Sequence, residues 1–145
     1  MTEVTHQQLL QATTEFFTHH WVIEKLGQHP SWQNWEPFLI GSEPNYQHPG
    51  CYAVFFGSDL RYIGSGTSRG NNRYVEHGIS RRLRGHVYKV DSTRRPNGCK
   101  LLPKFAGATA IYTLGLPGVG YLAPALEAYL IRHLNPSMNK VGKRC

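Results

Sequence analysis

Residues 50–64 read GCYAVFFGSDLRYIG, and this stretch decides how the chain is built. Cys51 to Phe56 is β-branched and aromatic, Gly57-Ser58-Asp59 carries turn chemistry, and Leu60 to Ile63 resumes strand character. The spacing predicts a β-hairpin. Tyr52 and Tyr62 fall near its open ends, so antiparallel pairing brings two phenols toward one site, with Gly50 and Gly64 leaving backbone room around them. Tyrosines are also ordinary strand residues, and the hairpin alone does not separate that reading from a chemical one.

Working outward, residues 5–26 show helical spacing of Leu9, Leu10, Phe16, Phe17, Trp21 and Ile23, which predicts one long or two short helices ended by Gly27. Residues 29–49 are rich in Pro, Asn, Gly, Ser and aromatics and read as an irregular connector that packs its tryptophans. Beyond the hairpin, residues 65–78 read as a Gly- and Asn-rich loop, residues 79–90 as a helix, and a second loop carries Arg94 and Arg95. A third strand is expected over 108–114. A helix follows in YLAPALEAYLIRHLNP, with Pro124 tolerated in its first turn and Asn135-Pro136 closing it. The order β-β-α-β-α predicts an α/β (α+β) sandwich: a small, three-stranded, largely antiparallel sheet flanked by helices, with an N-terminal helical extension. Residues 1–46 form that helical and aromatic extension, packed on a core made by residues 47–145.

At 145 residues the chain is long enough for one core without staples. Cys51, Cys99 and Cys145 are an odd count without CxxC spacing, which suggests neither a disulfide framework nor a zinc cluster. No basic segment precedes an apolar run at the start, and no stretch is long enough to cross a bilayer, so a soluble cytoplasmic protein is expected. The charge is unevenly placed. Residues 1–43 carry one Lys and five Glu, whereas residues 44–145 carry fifteen Lys/Arg against four Asp/Glu. Eleven of those basic residues lie between Arg61 and Lys104, interleaved with Tyr62, Tyr74 and Tyr88. That pattern points to a polyanion, and to nucleic acid over membrane, because ISRRLRGHVYKV offers only a narrow apolar face of Ile79, Leu83 and Val87. Arg69, Arg73, Arg81, Arg84, Lys89, Arg94 and Arg95 are the expected DNA contacts.

One carboxylate stands out by subtraction. In the fifty-four residues after Asp91, Glu127 is the only acid, and it borders the apolar stripe of the last helix. A lone carboxylate in a basic region suits a divalent cation bridging to phosphate, since Mg²⁺ is held by one or two carboxylates plus water and phosphate oxygens. It also suits a glutamate that complements a helix dipole. Arg82 and His86, four residues apart, are expected on one helix face, where an arginine clamps phosphate and a histidine relays a proton near neutral pH. Taken singly, each reads more readily as a surface contact to a nucleic-acid backbone or, for His86, as a structural hydrogen bond.

Taken in order, these residues resemble the GIY-YIG nuclease family. The resemblance spans about Pro49 to Asn139: Gly50-Cys51-Tyr52, then Tyr62-Ile63-Gly64, Arg82 with His86, Glu127, and Asn139. It implies a small three-stranded sheet flanked by helices and metal-dependent cleavage of a DNA phosphodiester, with Mg²⁺ or Mn²⁺ as the cofactor. It further implies that Tyr52 or Tyr62 activates water, Glu127 holds the metal, Arg82 stabilises the pentavalent phosphorus, His86 assists proton transfer, and Asn139 orients a tyrosine or the phosphate. Cys51 stands where the family motif has Ile, on the strand face opposite Tyr52. The twenty residues from Tyr62 to Arg82 exceed the spacing in phage homing endonucleases, and comparable insertions occur in restriction endonucleases of the family. The expected function is therefore a restriction-like or mobile-element endonuclease, and the alternative is a DNA-binding module on the same scaffold that is inactive or needs a partner. Restriction-type specificity in so short a chain would require a homodimer or recognition by its loops.

Overall fold

The structure is a computed structural model that describes residues 3–67, 78–91, 93 and 98–139. In chain order its elements are α1 (His6–His20), α2 (Ile23–Leu26), β1 (Gln33–Asn34), β2 (Gly50–Phe56), β3 (Asp59–Gly66), α3 (Gly78–Leu83), β4 (Tyr88–Val90), β5 (Cys99–Leu101), β6 (Ala110–Gly115) and α4 (Leu122–Leu134). The expected α+β architecture is present. A sheet in the order β1-β6-β2-β3 pairs antiparallel throughout, and β4 and β5 form a separate two-stranded ribbon.

Helical layers cover both faces of the sheet, and the burial pattern of β2 follows from that. Cys51, Ala53 and Phe55 pack into a core with Leu9 and Phe16 of α1 and Leu126 and Leu130 of α4, whereas Tyr52 and Val54 pack into a second core with Ile79 and Leu83 of α3 and with Phe105. A strand covered on both faces reads as a continuous apolar run, as YAVFF does. Its partner β3 carries a bulge at Arg61, because Val54 pairs with Tyr62 and Phe55 with Leu60. The extra residue lets Leu60 and Ile63, three apart, face the α1/α4 layer while Tyr62 faces the other.

The N-terminal segment belongs to the same core. α1 opens with a capping box between Thr5 and Gln8, and the Val4 carbonyl accepts a hydrogen bond from the Leu60 N–H at 2.7 Å. Leu10 and Ile23, expected on the apolar stripe, are exposed. β1 was not expected from the sequence, since Gln33 and Asn34 are polar and exposed. It forms because its flanking tryptophans anchor in opposite layers, Trp32 with α1 and α4 and Trp35 with α3, which stretches the two residues between them along β6.

One expected element is corrected. The helix predicted over 79–90 stops at Leu83, because Gly85 adopts φ +90° and donates its N–H to the Tyr88 carbonyl. Tyr88 then packs against Trp35 with ring centroids 5.3 Å apart and starts the β4–β5 ribbon. The third strand, expected over 108–114, runs from Ala110 to Gly115. Among the described residues no helix is long and apolar enough to cross a membrane.

Candidate active site

Two glycines bring the second half of the site to the first. A Cβ on Gly66, at the end of β3, would lie 2.0 Å from the Gly78 carbonyl oxygen, and a Cβ on Gly78 would lie 2.3 Å from that of Gly66. Only bare backbone allows this approach, so α3 begins directly against the end of β3. The same contact puts the Arg82 Cβ at 3.1 Å from the Gly66 position. From the opposite layer α4 delivers Glu127, whose Oε1 accepts a hydrogen bond from the Ser65 hydroxyl at 2.5 Å. Arg82 and Glu127, forty-five positions apart in sequence, line one cavity of about 340 Å³ together with Ser65, Gly66, Gly78 and Arg81.

The tyrosines sit on the α3 face of the hairpin. Their rings are 6.2 Å apart, inclined at 34°, and Tyr52 pairs across the ladder with Gly64. A Cβ on Gly64 would meet Tyr52 Cζ at 2.4 Å, so this glycine is the floor on which the ring lies. Tyr52 is fully buried, and its hydroxyl makes no hydrogen bond of good geometry among the described residues, although Arg82 and Tyr62 are its polar neighbours. Burial first, and then the neighbouring Tyr62, push its ionisation well above the usual phenol range, against the pull of Arg82. Tyr62 is half-buried and hydrogen-bonded to His86 Nε2 at 3.1 Å. Burial and then Glu127 raise its pKa, and Arg82 opposes them. Tyr62 therefore feels both residues of the Glu127–Arg82 cavity.

The sequence predicts Arg82 and His86 on one helix face; instead His86 lies in the turn after α3, and that turn is what aims it at Tyr62. Burial, followed by Arg82 and Lys104, lowers its pKa, so the neutral imidazole predominates at neutral pH. Lys104 is a residue that sequence reasoning missed. Its Nζ lies 5.8 Å from the centroid of the Tyr62 ring, held there by the buried Phe105 beside it. Its charge was visible in the sequence, but no spacing tied it to Tyr62.

Asn139 meets the site through the backbone beside Tyr62. It is buried, accepts the Ile63 N–H at 2.9 Å and donates to the Ile63 carbonyl at 2.8 Å, so its amide closes the free edge of β3 between Tyr62 and Gly64. Arg81, Arg84 and Lys89 are exposed, whereas Arg69, Arg73, Arg94 and Arg95 lie outside the described residues. Lys89 faces Lys100 directly across the β4–β5 ribbon.

Among the described residues no group of three or more His, Cys, Asp or Glu side chains gathers to hold a metal. Glu127 is a single carboxylate on a polar cavity that Arg81 and Arg82 also line. That donor set does not enclose an ion by itself, but it fits Mg²⁺ or Mn²⁺ held by one carboxylate, with phosphate and water as the other ligands. Cys51 lies on the α4 side, its thiol directed to the Ala123 carbonyl at 3.4 Å, away from both tyrosines. Comparison of the chain with protein-family models, with curated proteins and with solved structures gave no match.

Proposed function

We propose that this protein is a metal-dependent DNA endonuclease of the GIY-YIG type, cutting phosphodiester bonds by hydrolysis. The observation that carries the reading is the convergence at the end of β3: Arg82 and Glu127 on one cavity, with the Tyr62–His86 pair electrostatically coupled to both. Such a site has a charge clamp for phosphate, a carboxylate for a cation and a proton acceptor within hydrogen-bond reach.

The steps follow from the residue types. Arg82 holds the scissile phosphate and stabilises the extra negative charge that builds up as water attacks phosphorus. Tyr62 accepts the proton of the attacking water while passing its own to His86 Nε2, in the tautomer that carries hydrogen on Nδ1. The new P–O bond forms, the ester P–O bond breaks, and the departing oxygen takes a proton from solvent. Tyr52, fully buried, packs under Tyr62 and sets its position. Glu127 would hold the cation, which when bound supplies Lewis-acid stabilisation of the phosphate and leaving oxygen. The basic α3 surface and the β4–β5 ribbon would track the DNA backbone. Two lysines opposite one another cost stability in the free protein, and a polyanion offsets that cost.

Cleavage of supercoiled plasmid with Mg²⁺ or Mn²⁺ tests this, wild type beside Glu127→Ala, with DNA binding followed in the same samples. The expected result is cutting by the wild type and a loss of at least about a hundredfold in the variant, with binding retained. Binding by both proteins with no cutting of plasmid or branched DNA would replace the nuclease reading with that of a DNA-binding module.

A further inference from the structure

Lys104 is exposed, and among the described residues it makes no ion pair. Its place beside the site is nevertheless fixed by its neighbours. Phe105 is fully buried, its N–H donates to the Leu102 carbonyl at 2.8 Å, and the Leu102 N–H donates to the Val87 carbonyl at 2.8 Å. The short 3-10 turn Pro103–Phe105 is thereby tied to the turn that carries His86. The rings of Tyr62, His86 and Phe105 form one cluster, with centroids 5.7, 5.4 and 6.1 Å apart, and the Lys104 ammonium stands 5.8 Å from the centroids of both Tyr62 and Phe105. An aromatic face attracts an ammonium without neutralising it, so its N–H groups remain available to an anion.

When His86 takes the Tyr62 proton, its ring becomes a cation. The charged and titratable groups that bear on that ring are Tyr62 from β3, Arg82 from α3 and Lys104 from the turn Pro103–Phe105. Two of the three are cations, and both oppose a third positive charge. In the proposed reaction the scissile phosphate answers the charge of Arg82, whereas Lys104 has no carboxylate to answer its own among the described residues. A phosphate on Lys104 would place an anion beside the ring that turns positive.

We propose that Lys104 is a further substrate-binding residue of this site: its ammonium holds a second phosphate of the bound DNA against the Tyr62–His86 pair, where that anion stabilises the imidazolium. The inference rests on the reading of the protein as a DNA endonuclease, and it adds that the substrate itself completes the proton acceptor. The proton balance is closed within the pair: the Tyr62 hydroxyl proton goes to His86 Nε2, a water proton replaces it on Tyr62, and the held phosphate neither gives nor takes one.

Full-length wild type, Lys104→Gln and Lys104→Arg are compared in two assays. In the first, the His86 ring resonances are followed by NMR across the histidine titration range, in the free protein and with random-sequence duplex DNA in the absence of divalent metal. In the second, plasmid cleavage with Mg²⁺ gives the pH profile of kcat/KM, which reports the free protein, and of kcat, which reports the DNA complex. In wild type, DNA is expected to move the His86 midpoint to higher pH, and the acid limb of kcat to lie above that of kcat/KM by a similar interval. Lys104→Gln should raise the midpoint of the free protein, because a cation is lost, and shrink the interval, because the phosphate is no longer held. Its kcat should fall by about tenfold. Lys104→Arg keeps a cation and should recover most of the interval and of kcat, which separates the charge from any effect on folding. An interval of unchanged size in Lys104→Gln, with kcat intact, overturns the proposal and leaves the nuclease reading standing. A His86 midpoint that DNA does not move in a wild type that binds it overturns the proposal as well. A DNA-induced shift that depends on Lys104, in a protein that cuts no DNA, supports the phosphate contact and overturns the nuclease reading.

Discussion

At Tyr52 the demands of folding and of chemistry can be separated. A buried hydroxyl that Arg82 and Tyr62 approach without a hydrogen bond of good geometry stabilises the fold little, so Tyr52→Phe should leave stability unchanged within about 1 kcal/mol in urea unfolding or raise it. If the hydroxyl contributes to the water-activating site, the same variant slows plasmid cleavage at constant DNA binding. A variant that is less stable and cuts normally would show the opposite assignment. At His86 the chemistry makes a prediction in pH. In the proposed reaction the proton acceptor would be the neutral ring, and burial with Arg82 and Lys104 moves its pKa below the ordinary 6.5. Activity is therefore full at neutral pH and falls only as pH drops through that lowered value, so the acid limb of kcat/KM has its midpoint below 6.5. The folded state also binds fewer protons at His86 than the unfolded chain in that window, so stability falls in the same direction as the medium is acidified. His86→Gln should remove the limb and lower the plateau. A limb that persists unchanged in His86→Gln belongs to another group.

Among the elements, β3 sets the geometry of the whole site, and its outer edge is closed by a side chain. The Asn139 amide makes both the donor and the acceptor contact that a neighbouring strand would make at Ile63, and the Met138 N–H reaches the Arg61 carbonyl at 2.8 Å. Asn139→Ala leaves a buried N–H and C=O unmet and should cost about 1–3 kcal/mol in urea unfolding, with cleavage falling because Tyr62 loses its fixed backbone. Unchanged stability would mean that closing the edge is not what Asn139 contributes. This is also where the sequence stops being legible. The hairpin, the meeting of Tyr52 and Tyr62 and the glycine beneath them were readable, because alternation and turn residues are local signals. The end of α3 at Leu83 is signalled locally by Gly85 at φ +90°, but the apolar spacing of Ile79, Leu83 and Val87 runs on past it, and the turn that follows is set by the packing of Tyr88 on Trp35. The burial of Glu43 and the pairing of Ser65 with Glu127 join residues forty-five and sixty-two positions apart, and no periodicity reports them.

In the molecule as a whole, the uneven charge of the sequence becomes an uneven charge of the two sheet faces. Of the N-terminal glutamates, Glu15 lies on α1 and Glu24 on α2, whereas α3 and the β4–β5 ribbon bring Arg81, Arg84, Lys89 and Lys100 to the tyrosine face, where Glu43 is buried against Tyr88. DNA approaching the Tyr62–Arg82 site would meet that second face. Lys89→Glu tests this with two readouts of opposite sign. It converts a like-charge cross-strand pair with Lys100 into an opposite-charge one, so stability should rise by about 0.2–1 kcal/mol. At the same time it removes a phosphate contact, so DNA affinity should fall, and the slope of log K against log salt should shallow by about 0.9. Glu15→Lys, on the exposed side of α1, changes net charge in the other direction on the far layer and should leave that slope unchanged. If Glu15→Lys shifts the slope and Lys89→Glu does not, DNA lies on the helical layer of α1 and α4, and the site at the end of β3 is not the one it reaches. If only Lys89→Glu shifts it, the repulsion between Lys89 and Lys100 is the stability cost of a surface shaped to hold phosphates.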